Sequence, residues 1–376
     1  MAAFDPNAAT AAYLDQLSPA LRQAARVQTD QAHWLAAVGG VLAILICWLI
    51  LRTGVLARLR SRIERLQPRP WLVSLAGAAA FLGLFALLWM PWSAFTAWRE
   101  GQPVIDHVAG ALSATLAPLL SASILVTLLY ALKRRAPRNW WAWAGGAAAG
   151  LVIATVWLPY ALAAGPAQLP AVPPGAAREG LMALIRDAGL PAHQVYVGSG
   201  PDADVTGTPF EARVVVGEDM LARSSPAEVR AAVGHLAGHF HNGDQLSLAI
   251  VLSLLIIGGL YALHRLFGPV SRLMGLRDLQ GPDDPAGLPV QAAVAIAWLA
   301  LASMAFNNFD RLVNVRADQF ALDHAREPDG QAEALVRGWR GDKVDPAPLE
   351  EAVFYDHPSL RNRVLHAVTW KAAQRP

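Results

Sequence analysis

Six stretches of this chain are apolar for long enough to cross a bilayer, and that feature narrows the possible folds more than any other. A hydrocarbon core about 30 Å thick needs about 20 apolar residues of helix. The stretches are 34–51, 71–92, a run within 108–132, 140–163, 246–267 and 290–306. Trp34, Trp71, Trp89, Trp92, Trp140, Trp141 and Trp143 stand near their ends, where an indole suits the headgroup layer. A large soluble helical core is the bland alternative, and six such lengths in 376 residues argue against it. Composition agrees, with 54% hydrophobic and 16% charged residues where soluble domains carry about 25% charge. So little charge excludes disorder. Cys47 as the lone cysteine excludes a disulfide scaffold. A net charge of +2 leaves no nucleic-acid footprint, so no nucleic-acid partner is expected. The expected fold is mainly α, a polytopic membrane protein with about six transmembrane helices plus a small α+β domain, in contact with the lipid bilayer.

The first stretch lies too deep to be a cleavable signal, and no charged start with a short apolar run precedes it. Residues 8–30 read as an amphipathic helix, with Leu14, Leu17, Leu21 and Ala25 on one stripe. Such a helix would lie on the membrane surface or cap the bundle. The chain therefore divides into an N-terminal amphipathic segment (1–33), a four-span bundle (34–163), a small α+β domain (164–245), two further spans (246–309) and a C-terminal helical part (310–376). The 52–70 connection carries Arg52, Arg58, Arg60, Arg62, Arg65 and Arg69, and the 133–139 connection carries Lys133, Arg134, Arg135 and Arg138. The positive-inside rule makes both cytoplasmic, which puts the termini and 164–245 outside.

Residues 164–176, rich in Pro, Gly and Ala, read as a linker. Helical spacing follows over 177–189, with Leu181, Leu184 and Ile185 on one side, then short strands at 194–197 and 213–216. Ser225-Pro226-Ala227-Glu228 is a helix start: Ser225 caps, Pro226 takes the first helical position and Glu228 reaches back to the cap nitrogen. That helix contains Gly234-His235-Leu236-Ala237-Gly238-His239-Phe240-His241. His235 and His239, four apart, project from one face and are suited to present two nitrogens to one zinc ion. A His-x-x-x-His pair alone is weakly specific, and two polar residues lining a helix surface account for it equally well.

Further motifs occur in order. Arg134-Arg135-Ala136-Pro137-Arg138-Asn139-Trp140-Trp141 is a basic, tryptophan-rich junction ahead of a span. Val195-Tyr196-Val197 and Val205-Thr206-Gly207 precede the capped helix. Asn314-Val315-Arg316-Ala317-Asp318 follows the last span, and His357-Pro358 with Arg363 lies near the C-terminus. In this order the chain resembles the integral-membrane zinc metallopeptidases of the CAAX prenyl endopeptidase and HtpX type, over nearly its whole length. The resemblance implies a metalloendopeptidase frame in a bacterial inner membrane, with zinc as cofactor and a peptide or a membrane protein as ligand. It implies His235, His239 and position 314 as metal ligands. Asp318 would orient a zinc histidine, and His357 and Arg363 would brace the site or merely begin a solvated helix. It also implies a cytoplasmic protease domain, against the arginine distribution, which we prefer.

Two departures bear on the chemistry. Leu236 stands where the family has the glutamate that acts as general base, so no catalytic residue is assigned. Asn314 replaces the acidic third ligand of the family's E-x-x-A-D motif. Zinc prefers nitrogen, thiolate and carboxylate donors, so two imidazoles and an amide should hold it weakly or not at all. General-base catalysis contributes about 10²–10⁴-fold, and a leucine supplies none. Three readings follow. The first is a homologue with lost or strongly reduced proteolysis that still binds a peptide or protein. The second is an active zinc endopeptidase recruiting Asp310, Asp318 or Asp244. The third is a transporter on an unrelated bundle, which spans almost free of charge disfavour. His241, two residues past His239, points away from the pair. Gly77, Gly83, Gly145, Gly146 and Gly150 read as close helix packing, His107 as a loop residue, and Asp278, Asp283 and Asp284 as an ordinary turn.

Overall fold

The structure is a computed structural model, and it describes residues 4–162, 169–208, 211–275, 279 and 281–374. The chain opens with two helices where sequence periodicity suggests one. α1 (Pro6–Leu14) ends in a turn, and α2 (Pro19–Thr53) starts afresh at Pro19 and runs without a break through the first apolar stretch. Pro19 has no N–H to continue the preceding helix but is preorganised to begin one. The expected stripe divides accordingly: Leu14 and Ala25 are buried and Leu21 is exposed. Leu14 packs against Val336, Val364 and Val368.

Then follow α3 (Val55–Leu66), α4 (Pro70–Arg99), α5 (Val104–Arg135) and α6 (Trp140–Leu162). The α+β segment comprises α7 (Ala176–Asp187), β1 (Val195–Gly198), β2 (Ala203–Thr208), β3 (Glu211–Gly217), α8 (Glu218–Arg223) and α9 (Pro226–Asn242). The chain closes with α10 (Asp244–Leu273), α11 (Leu288–Ala325), α12 (Pro328–Arg337), α13 (Pro348–Phe354) and α14 (Leu360–Ala373). Six helices are long and apolar enough to cross a membrane. The sixth does not stop near 306: α11 is 38 residues long, about 57 Å at 1.5 Å per residue, nearly twice a bilayer core.

The chain forms two compact units. One comprises Met1–Gln31, Leu151–Leu252 and Met304–Pro376. Its sheet has the order β1-β3-β2, with β1 parallel and β2 antiparallel to β3. Val195 and Val205 both stand in register with Val214, and all three are buried with Leu181, Leu184, Ile185, Val229 and Val233. Full burial of each such side chain contributes about 1.5–3 kcal/mol, which sets α7 and α9 against the sheet. Part of the expected 164–176 linker is not free. Val172 N–H donates to Val195 C=O and Val197 N–H to Pro170 C=O, so the segment pairs along β1. Residues 164–168 of it lie outside the described residues. β2 is an edge strand of this sheet.

The other unit comprises Ala32–Gly150 and Ser253–Ser303. Cys47, Ile50, Ala78, Phe81 and Tyr130 form its interior. Many large side chains face outward, among them Ile105, Leu116 and Leu128. In water such a surface drives aggregation; in hydrocarbon it is the solvated face. Of the glycines expected at helix contacts, Gly77 meets Pro285 and Gly145 meets Ile257, whereas Gly83, Gly146 and Gly150 have no tight neighbour. His107 is helical and bonds Ser93 Oγ at 2.9 Å. The Asp284 turn is not ordinary: its carboxylate is buried and paired with Arg60. Asp278 lies outside the described residues.

Candidate metal centre

α9 begins with a complete capping box. Glu228 N–H donates to Ser225 Oγ at 3.2 Å, and Ser225 N–H donates to Glu228 Oε2 at 2.6 Å. The helix ends at Gly243, whose φ of 64° suits a residue without a Cβ. Between these ends, α9 packs on α11 through small residues. A Cβ on Gly238 would come within 3.0 Å of Ala317 Cα and Phe320 Cβ, and one on Gly234 within 3.2 Å of Ala321 Cα. Glycines four apart against alanines four apart let the two backbones approach closely. That approach brings His235 and His239 beside the helix face bearing Asn314 and Asp318.

Each imidazole has a buried carboxylate beside its Nδ1. His235 Nδ1 lies 2.8 Å from Asp318 Oδ1. Asp318 in turn accepts two bonds from Arg363, at 2.7 Å each, and its side chain is only 1% exposed. His239 Nδ1 lies 2.9 Å from Asp244 Oδ2. Asp244, equally buried, accepts from Arg316 at 3.0 Å through Oδ1. Gly243 makes this second network possible, because the left-handed turn carries Asp244 back toward the preceding helical turn. An ionised carboxylate can only accept, so the His239 imidazole places its proton on Nδ1; the Asp318 carboxylate favours the same tautomer of His235 by charge, without a hydrogen bond. The two Nε2 atoms converge, 3.0 Å apart. At that distance the pair is joined by one proton on either Nε2 or, where both carry lone pairs, by a cation. Burial pushes the His235 imidazole below its ordinary pKa, with Asp318 opposing the shift, which disfavours a second proton there.

The third position is Asn314, 2% exposed. Its Nδ2 donates to Asp310 C=O at 3.0 Å and to Asp310 Oδ1 at 3.1 Å. Its Oδ1 is buried and has no partner among the described residues. A buried orphan carbonyl costs roughly 1–3 kcal/mol unless something binds it. Leu236 is half-buried, packs against the sheet core and lines the same cavity. That cavity, about 1320 Å³, is also lined by His235, His239, Asn314, Asp310 and the β2 edge.

The residues singled out in the sequence therefore separate. His235, His239, Asn314, Asp318 and Arg363 come together. His357 lines the cavity but bonds Asp356, at 3.0 Å, and not the histidines. Asp310, Asp356 and His357 bring ligand-type atoms within 4.8 Å of one another. His241 stacks on Phe320, with ring centroids 5.0 Å apart. Sequence reasoning missed Arg316 and treated Asp244 as a possible ligand or base, whereas its carboxylate faces Nδ1 and Arg316. The available signal was Gly243-Asp244 directly after the histidine helix. The donor set fits a divalent cation in kind: two neutral imidazoles converge and a buried amide oxygen lacks a partner. It departs from the usual zinc set in holding no anionic donor among these three.

Residues 177–371 match the model of "Peptidase family M48". The chain is 27% identical over 202 residues to the uncharacterized metalloprotease YhfN of Bacillus subtilis, covering 50% of this chain and 46% of that protein. It is 30% identical over 142 residues to protease HtpX of Pseudomonas putida, covering 36% and 46%. The chain spans about half the length of these curated relatives. Ste24p of S. mikatae shares the fold, with a TM-score of 0.53 at 17% identity over 78% of this chain and 76% of that one. With six apolar helices and relatives in bacteria, the protein is a multi-pass integral membrane protein of the bacterial inner-membrane type. The matched segment covers more than half of the sequence, and the chain belongs to peptidase family M48.

Proposed function

We propose that this chain is a membrane metallopeptidase homologue whose proteolysis is lost or strongly reduced and which retains a peptide- or protein-binding groove. The observation that carries this reading is Leu236: beside the two converging imidazoles the cavity wall is a hydrocarbon. His235, His239 and Asn314 would hold the ion. When bound, zinc supplies Lewis acidity and an acidified water. The residues of the chain orient both imidazoles but bring no carboxylate to the position next to the first histidine. The neutral third donor weakens zinc relative to a carboxylate. For binding, β2 offers an open strand edge along the cavity, the geometry by which an extended peptide adds to a sheet.

The alternative, an active endopeptidase with an atypical site, draws on Asp310, whose carboxylate lines the cavity one turn from Asn314. Zinc content and peptide cleavage by the purified full-length chain separate the two. The expected result is well under one zinc per chain and no chelator-sensitive cleavage. The Leu236→Glu/Asn314→Glu variant should approach one zinc and gain hydrolysis. Chelator-sensitive cleavage by the unmodified chain at an ordinary metallopeptidase rate, lost in Asp310→Asn, would establish the alternative.

A further inference from the structure

The helix between the first two spans is not part of either. α2 ends at Thr53, the chain turns at Gly54 with φ 64°, and α4 begins at Pro70. Only a residue or a few separate α3 from a spanning helix at each end, so chain continuity holds it at headgroup depth. One face of α3 is anchored. Leu56 and Arg60 are buried, and Arg60 is paired with Asp284 in the connection between the fifth and sixth spans. The opposite face carries Arg58, Arg62 and Arg65, all exposed, and Arg69 follows. Among the described residues no carboxylate lies within ion-pair distance of these four. Arg58 and Arg65 do donate to backbone carbonyls, of Thr53 at 2.9 Å and of Ser61 at 3.1 Å.

The next basic connection lies at the same end of this unit. Lys133 Nζ donates to Gln291 Oε1 at 2.7 Å and to Pro282 C=O at 3.5 Å, and Arg134 approaches Asp283 at 4.0 Å. Arg60–Asp284 and these contacts gather the 52–70, 133–139 and 282–284 connections at one membrane face. Of the acidic groups there, Asp284 pairs with Arg60 and Asp283 with Arg134, and Glu64 on α3 is half-buried and lies away from the face that carries Arg58, Arg62 and Arg65.

We propose that α3 is an interfacial binding helix for anionic phospholipid headgroups, with Arg58, Arg62 and Arg65 as the phosphate-facing donors and the buried Arg60–Asp284 pair as the anchor that aims them. Each basic residue near an anionic membrane surface contributes about 1 kcal/mol, about fivefold in local enrichment. An exposed row of guanidiniums without carboxylate partners, held at headgroup depth, matches that chemistry.

The test uses the full chain in nanodiscs of equimolar phosphatidylglycerol and phosphatidylcholine. A fluorophore is attached at Leu66→Cys, an exposed position at the end of α3; Cys47 is fully buried and stays in place. Quenching by either lipid, spin-labelled high on its acyl chain, reports which one lies beside α3. The expected result is phosphatidylglycerol enrichment of at least fivefold that declines with salt. It should fall several-fold in Arg58→Gln/Arg62→Gln/Arg65→Gln and be retained in the matching lysine variant. Equal quenching by both lipids in the unmodified chain, or unchanged enrichment in the glutamine variant, would overturn the proposal. Loss of enrichment on adding inorganic phosphate at constant ionic strength would overturn it in favour of a free-phosphate site. Should the glutamine variant fail to fold, the salt series on the unmodified chain and the lysine variant still decide.

Discussion

The candidate metal centre divides into two regions that differ in charge. Behind the imidazoles, each Nδ1 meets a buried carboxylate that is itself held by an arginine, Asp318 by Arg363 and Asp244 by Arg316. In front of them, on the cavity side, stand the uncharged Leu236 and Asn314. The orienting half is charged, and at these two positions the cavity-facing half is neutral. The two halves answer to different constraints. A buried carboxylate–arginine pair is part of the fold, because removing one partner leaves the other charged and buried. A cavity-lining carboxylate belongs to the chemistry, and losing it need not disturb packing.

Removing the Asp318 carboxylate should break the orienting half most severely. Asp318→Ala strands Arg363, and unfolding should show a loss of about 3–5 kcal/mol, where Leu236→Met should cost less than about 1.5 kcal/mol as a volume-conserving swap. Equal costs for the two would erase the distinction. Gly238→Val tests the helix contact beneath both halves. Overpacking against Ala317 should cost about 1–3 kcal/mol. Asp244→Asn sharpens the comparison by targeting one imidazole. On the Leu236→Glu/Asn314→Glu background, zinc affinity by competition titration should drop about 10–100-fold. Ser225→Ala removes the helix cap that positions the histidine helix, at about 1 kcal/mol.

The smallest effect is a pH dependence. Burial raises the Glu228 pKa, but Arg337 and Ser225 outweigh it and hold the group below the ordinary 4.5. Its unfolded form therefore binds a proton at higher pH than its folded form. The stability it contributes is complete above 4.5 and is lost as pH falls through the depressed folded value. Glu228→Gln should flatten that part of the stability–pH curve; an unchanged acid limb would mean that Arg337 does not act on Glu228 in solution.

Some of this was legible without coordinates because it is local. The capping box over Ser225 and Glu228 needs only four consecutive residues. The pairing of His235 with His239 follows from 3.6 residues per turn, and spans follow from runs of apolar residues. Where local signals competed, the reading failed. The stripe over Leu14, Leu17, Leu21 and Ala25 outweighed Pro19, and the structure breaks the helix there. Asp284 looked like part of a solvated turn, because nothing nearby in sequence announces its partner Arg60, 224 residues away.

By itself the sequence determined the membrane class, the histidine pair and the uncharged Leu236 and Asn314 that accompany it, since each depends on residue type or short-range spacing. Only the tertiary structure decided that Asp244 backs His239, that Arg316 completes the second network, and that the Asn314 oxygen is left without a partner. Those outcomes depend on how closely α9 and α11 approach. Glycines facing alanines permit that approach, but which glycine meets which alanine is settled by packing between segments some 80 residues apart in the chain.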